Sequence, residues 1–149
     1  MILVFVSYNL GIFIKYGQLG SISASYYALP EKLNFLFCLF CFGYAIPGVM
    51  LATTGLMFFG SAFITCVGIA SAFRESDFTA GMHQWSAAIA ITLTQLSILV
   101  DYHMWWVNVI FLVVGGILFL LRNKFYPWMY WLEMTAFVCT AYVLGKVSL

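Results

Sequence analysis

A carboxylate inside a long apolar run is expensive, and it persists only with a proton, a countercharge or good hydrogen-bond donors. Glu133 is such a residue, set between PWMYWL and MTAFVCTAYVLG. His83 opens another apolar run, Glu75 and Asp77 lie just before it, and Ser21, Ser23 and Ser25 occupy a separate connection. A histidine beside a carboxylate can carry a proton, and hydroxyls can add hydrogen bonds or a nucleophile. His83, Glu133, Glu75, Asp77, Ser21, Ser23 and Ser25 therefore form the first candidate site, for a ligand or a proton. Set against it are two plainer roles: Glu133 reaching back to a nearby interface, and His83 bonding a loop carbonyl at a helix start.

Gln95, Asp101, His103 and Asn108 form a second polar cluster around a short turn. Two ligands seldom hold zinc, so capping of the helix ends is the simpler use of Asp101 and His103. His83 and Asp101 are eighteen residues apart, about 27 Å at helical rise, so the two histidines cannot share one metal. Cys38-x-x-Cys41 sits in an apolar run with no second pair nearby, where cysteines act as small hydrophobes. Neither a metal nor a cofactor is expected, and no residue is assigned a catalytic role. No P-loop, dinucleotide-binding glycine pattern or nucleophile elbow is present.

The elements that would carry these residues follow from composition. Of 149 residues 64% are hydrophobic and 7% charged, against about 25% charged in ordinary soluble domains. Mean hydropathy is +1.03. The expected class is all-α: a polytopic transmembrane bundle of about six helices in a single integral membrane domain spanning residues 1–149. A net charge of +1 with scattered basic residues excludes a nucleic-acid face. The bilayer is the expected partner, and a homo-oligomer or a membrane-protein partner is left open.

Cutting the chain at its charged and Gly/Pro-rich breaks yields six apolar segments: Met1–Gly17, Leu33–Ala52, Leu56–Phe73, His83–Val100, Met104–Leu121 and Pro127–Gly145. The first is short and contains Asn9, so a five-helix arrangement is the alternative. No Lys or Arg precedes it, which argues against a cleaved signal peptide. Lys15, Lys32, Arg74, Arg122 and Lys124 fall on one side of the six-segment arrangement and Lys146 on the other. By the positive-inside rule the longer connections are cytoplasmic and both termini lie outside. Small residues crowd the third and fourth segments, with Ala62, Cys66 and Ala70 at a spacing of four, so these two are expected at the centre. The bulky second and fifth segments are expected outside, and Pro47 is a candidate kink. Trp105, Trp106, Trp128 and Trp131 read as interfacial anchors.

The stretch Ser21-Ile22-Ser23-Ala24-Ser25-Tyr26-Tyr27, then Leu29-Pro30, with Ala72-Phe73-Arg74-Glu75 and His83, resembles small membrane proteins of bacteria and their phages. That resemblance implies a prokaryotic setting, with the inner membrane as the expected location, and no activity. In having Ser, Asp and His on a compact bundle, the chain also resembles the superfamily of alkaline ceramidases and hormone-receptor-like seven-helix proteins. That superfamily carries paired histidines on its C-terminal helix, and Pro127–Gly145 contains none. The expected function is therefore non-enzymatic: binding, sensing or conducting a small molecule or ion at a cytoplasm-facing polar site. An intramembrane metal-dependent lipid hydrolase using His83, Ser23 and an acidic residue is the first alternative, and a partner subunit of a membrane complex is the second.

Overall fold

Every regular element in the computed structural model, which describes residues 1–148, is a helix. In chain order these are α1 (Ile2–Tyr16), α2 (Ser25–Ala28), α3 (Phe35–Leu51), α4 (Gly55–Ile69), α5 (Asp77–Val100), α6 (Trp105–Leu121) and α7 (Trp128–Val147). A 3-10 turn, Glu31–Leu33, leads into α3. The six long helices coincide with the six apolar segments, and α2 is a single turn inside the first connection. The first segment, the shortest of the six, is helical throughout: α1 is a continuous helix of 15 residues packed on α3, with the Phe5 ring 6.2 Å from Phe40 and 6.1 Å from Tyr44. Asn9, buried in that packing, donates its amide to the Phe5 carbonyl at 2.9 Å.

Local chemistry moves two boundaries. The fourth segment begins at Asp77 rather than His83, because the Ser76 hydroxyl accepts from the Thr79 N–H at 3.1 Å and caps the helix. The third ends at Ile69 rather than Phe73. Beyond it the Ala72 carbonyl is taken by the Glu75 N–H and the Thr79 hydroxyl, closing a tight connection. One helical stretch, Glu31–Leu51, has the length and apolarity to cross a bilayer by itself, while α1, α4 and α6 are apolar but shorter.

Consecutive helices α3, α4 and α5 pack as antiparallel hairpins, α6 and α7 make another, and α5 touches both members of that second pair. Close approach depends on three glycines. A Cβ on Gly60 would meet Thr94 Cγ2 at 2.7 Å, one on Gly68 would meet Cys41 Cβ at 2.8 Å, and one on Gly48 would meet Ser61 Oγ at 2.8 Å. These glycines, not the Ala62, Cys66, Ala70 row, form the tight seams. Ala62 and Cys66 remain half-buried. The expectation that α3 lies outside is also corrected: Phe37, Phe40, Cys41, Tyr44, Ala45 and Gly48 are all buried, so α3 is a core helix. By contrast α6 is peripheral as expected, with only Val107 and Leu118 buried along its length.

The two ends of the bundle differ. At one end the three longer connections gather: Arg74 donates its backbone N–H to the Tyr27 hydroxyl at 2.6 Å, and Tyr130 donates its own to the Gly20 carbonyl at 3.1 Å. At the other, two tight turns meet, with the Thr53 and Tyr102 hydroxyls 3.1 Å apart and those of Thr54 and Ser97 2.9 Å apart.

Candidate functional site: a strapped cavity between four helices

The first connection, residues 17–34, does not hang free as a polar loop. It folds inward as a strap, burying Ile22, Ser23 and Ser25. Two local bonds shape it: the Ser25 hydroxyl donates to the Ile22 carbonyl at 2.6 Å, and the Ser21 hydroxyl accepts from the Ala24 N–H at 3.1 Å. Tyr8 of α1 holds it from the side, its hydroxyl 2.6 Å from that of Ser25. Glu133 of α7 holds it from beneath, where Oε2 accepts the Ile22 N–H at 2.6 Å. The carboxylate therefore does not reach back to an interface. It satisfies a buried backbone donor of a segment 111 residues away.

Under the strap lies a cavity of about 60 Å³. On α3 it is lined by Phe37, Phe40, Cys41 and Tyr44, spaced three, four and seven residues from the first. The same stripe recurs on α7 as Glu133, Ala136, Phe137 and Thr140, and on α5 His83, Ala87, Ala90 and Thr94 follow a longer version of it. Such a stripe is one helix face, so each helix turns a single face to the common space. Ile64 and Val67 of α4 and Ile22 and Ser23 of the strap complete the wall.

His83 is buried a turn and a half into α5, with its ring stacked on Phe73 at 4.4 Å. Nδ1 lies 3.2 Å from the Val67 carbonyl, one of the acceptors left open at the end of α4. That bond selects the tautomer carrying hydrogen on Nδ1. The carbonyl partner belongs to a helix end rather than a loop, so the imidazole links α5 to α4 and still lines the cavity.

Ser23, His83 and Glu133 are thus brought to one space. Ser21 contacts it only through Ser23, its hydroxyl 3.1 Å from the Ser23 hydroxyl. Ser25 supports the strap and is not in the lining. Glu75 and Asp77 are corrected: both are exposed, in and just after the turn capped by Ser76, and neither lines the cavity. Thr94, Thr140 and Tyr44 were not among the candidates. For Thr94 and Thr140 the signal was a polar group at helical spacing from His83 and from Glu133; Tyr44, on α3, had none. Thr94 and Thr140 each bond the carbonyl four residues back, so their hydroxyls are satisfied within the helix.

The second cluster divides. Asn108 Nδ2 donates to the Gln95 carbonyl at 2.8 Å and to its Oε1 at 3.1 Å, tying α6 to α5. Asp101 sits in the turn beyond them, its Oδ2 accepting the Ser97 hydroxyl at 2.6 Å, while Ser97 in turn contacts Thr54. His103 is exposed and adopts φ 53°, the left-handed conformation that reverses the chain before α6. Among the described residues, no three His, Cys, Asp or Glu side chains gather as a metal set.

Hydrogen bonding from Ser97, and then from Thr54, holds the Asp101 carboxyl below the usual carboxylate range. A carboxyl depressed in the folded state stabilises above its unfolded value of about 3.9 and loses that contribution as pH falls through the folded value. The stability gap between the wild type and Asp101→Asn should therefore be constant above about pH 5 and narrow below about pH 4. Chemical denaturation across pH 2.5–7 checks this, and a gap that widens on acidification contradicts it.

No protein-family model, no curated protein and no solved structure matches the chain.

Proposed function

We propose that this chain is a multi-pass integral membrane protein that binds a small molecule in the strapped cavity, at the cytoplasmic end of the bundle, and acts by binding or sensing rather than by catalysis. One observation carries the binding role. A hydroxyl, an imidazole and a carboxyl from Ser23, His83 and Glu133, separated by dozens of residues, line one cavity whose remaining wall is mostly apolar and aromatic. An apolar recess with a few convergent polar groups is the usual form of a small-molecule site.

The membrane setting is supported by what the helices expose. Leu112, Val113, Ile117 and Leu120 of α6, Ile2, Leu3 and Ile14 of α1, and Phe58 and Phe59 of α4 lie on outward faces, and α6 carries no charge along its length. Continuous apolar exposure on this scale needs a covering, and lipid is the covering suited to every side of a bundle at once. The short lengths of α1, α4 and α6 are compatible with that reading if the apolar residues flanking them also lie in hydrocarbon. Alkaline carbonate washing should leave the protein in the membrane pellet.

Ala136→Leu tests the site by placing bulk into the cavity wall. Protein extracted from membranes and then denatured should release a bound small molecule, detected by mass spectrometry, whose occupancy falls about tenfold in Ala136→Leu. Equal occupancy in both proteins would overturn the proposal.

A hydrolase is the second reading, favoured by the same three groups. Against it, the Ser23 hydroxyl is bonded to Ser21, and although the Nδ1 bond to Val67 leaves His83 Nε2 as a free acceptor, no hydrogen bond joins Ser23 to it among the described residues. Ser23→Ala separates the two: a binder keeps its occupant, whereas a hydrolase loses turnover of an ester or amide lipid.

A further inference from the structure

Resting on the cavity as a binding site, we propose that its occupant is a small organic cation, an alkylammonium whose charge faces Glu133 and whose carbons lie against the aromatic wall. A buried carboxylate needs a proton or a countercharge, and among the described residues no Lys or Arg reaches Glu133 to provide the second. All six Lys and Arg residues are exposed, and none lines the cavity. His83 is the one lining group able to become positive, and among the described residues no hydrogen bond or ion pair joins its ring to Glu133, while its Nδ1 points to the Val67 carbonyl. Glu133 spends one bond on the Ile22 N–H. A carboxylate can accept several more, so its capacity exceeds what the protein fills.

The remaining wall suits an ammonium better than its rivals. Phe40, Tyr44 and Phe137 line the space as a connected aromatic group, with Tyr44 perpendicular to Phe137 at 4.6 Å and Phe40 5.7 Å from Phe137. The Tyr44 hydroxyl donates to the Phe137 carbonyl at 2.6 Å, so the tyrosine offers the cavity its ring and not its polar end. Aromatic faces attract organic cations, most strongly where water is excluded. An anion would meet Glu133 with no Lys or Arg beside it. A bare metal ion would require a set of oxygen or nitrogen ligands that the aromatic lining does not supply. A neutral guest of the same shape would leave the carboxyl to take up a proton instead, and the two cases differ in whether a cation binds more tightly than its neutral isostere.

Choline and its neutral isostere 3,3-dimethyl-1-butanol distinguish charge from shape. With the full chain in lipid nanodiscs, calorimetric titration should show choline binding at least about tenfold tighter than the isostere. Glu133→Gln should bring the two within about twofold, and Tyr44→Leu should weaken choline about three- to tenfold while changing the isostere little. The wild-type comparison stands even if a variant folds poorly. Equal affinity of choline and the isostere for the wild type overturns the cation inference but leaves the cavity a binding site. Binding of neither also overturns it, and the Ala136→Leu occupancy experiment then judges the cavity separately.

Discussion

Gly60→Val should destabilise the protein by about 3 kcal/mol, the upper part of the range for forcing bulk into a closed seam. The reason is what surrounds the missing side chain. Even the first carbon added there would lie 2.7 Å from Thr94 Cγ2, 3.0 Å from the Thr94 backbone nitrogen and 3.3 Å from the Ala90 carbonyl oxygen. A flexible side chain could move aside, but a helix backbone cannot, and the Thr94 hydroxyl is fixed to the Ala90 carbonyl at 2.9 Å. Relief requires α4 and α5 to separate along their whole contact. Gly116 on the exposed face of α6 is the control, since a Cβ there meets nothing within 4 Å. Gly116→Ala should be neutral or stabilising by up to about 1 kcal/mol, because alanine is the better helix former. Denaturation of both variants in the same detergent or lipid checks the pair. A Gly60→Val protein as stable as Gly116→Ala would mean that the α4–α5 seam is looser than described.

Glu133→Ala should open the strap at a cost of about 2–4 kcal/mol, combining an orphaned buried donor with lost packing. The Ile22 N–H would lose its only side-chain acceptor, at a place where Ile22 itself is 3% exposed and water cannot readily replace the carboxylate. Glutamine retains an oxygen at the same reach, so Glu133→Gln should cost about 1 kcal/mol, the difference between a charge-assisted and a neutral hydrogen bond. Hydrogen exchange reports this directly: the amides of residues 20–25 should become fast in Glu133→Ala and stay largely protected in Glu133→Gln. If the Ile22 amide is equally protected in Glu133→Ala, the carboxylate does not anchor the strap. The Tyr130-to-Gly20 backbone bond should survive in both variants and limit the opening to the middle of the segment.

The long helices were legible because apolar runs and charged breaks both bear on the same boundaries. Arg74 and Arg122 lie beyond the ends of α4 and α6, and the tight turns at Thr54 and Asp101 left no room for anything but antiparallel neighbours. Inside and outside were harder to read. In α3 Phe35 and Leu39 are exposed while Phe37 and Phe40 are buried, and nothing in residue type separates them. When both faces of a helix are apolar, the polarity contrast that reveals a core face is missing. Hence α3 was expected at the periphery although it forms much of the cavity wall. For the site, Glu133 and His83 stood out as ionisable groups near apolar runs, and Ser23 as part of a serine cluster. The inward fold of the strap had one signal: no charged residue lies between Lys15 and Glu31, an unusual composition for a segment meant to stay in water. Glu75 and Asp77 were grouped with the site through closeness to His83 in sequence, but the Ser76 cap turns the helix so that they remain at its exposed start.

The bond between Ile22 and Glu133 joins the second tenth of the chain to its last helix, which has a consequence for how the protein is made. During synthesis α1 and the strap emerge long before α7, and the donor at Ile22 must wait while more than a hundred residues are added before its acceptor exists. The α3–α4–α5 hairpins can zip up from neighbours close in sequence, but the cavity has no finished floor until α7 arrives. Closure of the pocket therefore has to follow the synthesis of α7, and a chain interrupted before Glu133 would lack the acceptor that holds the strap over the cavity.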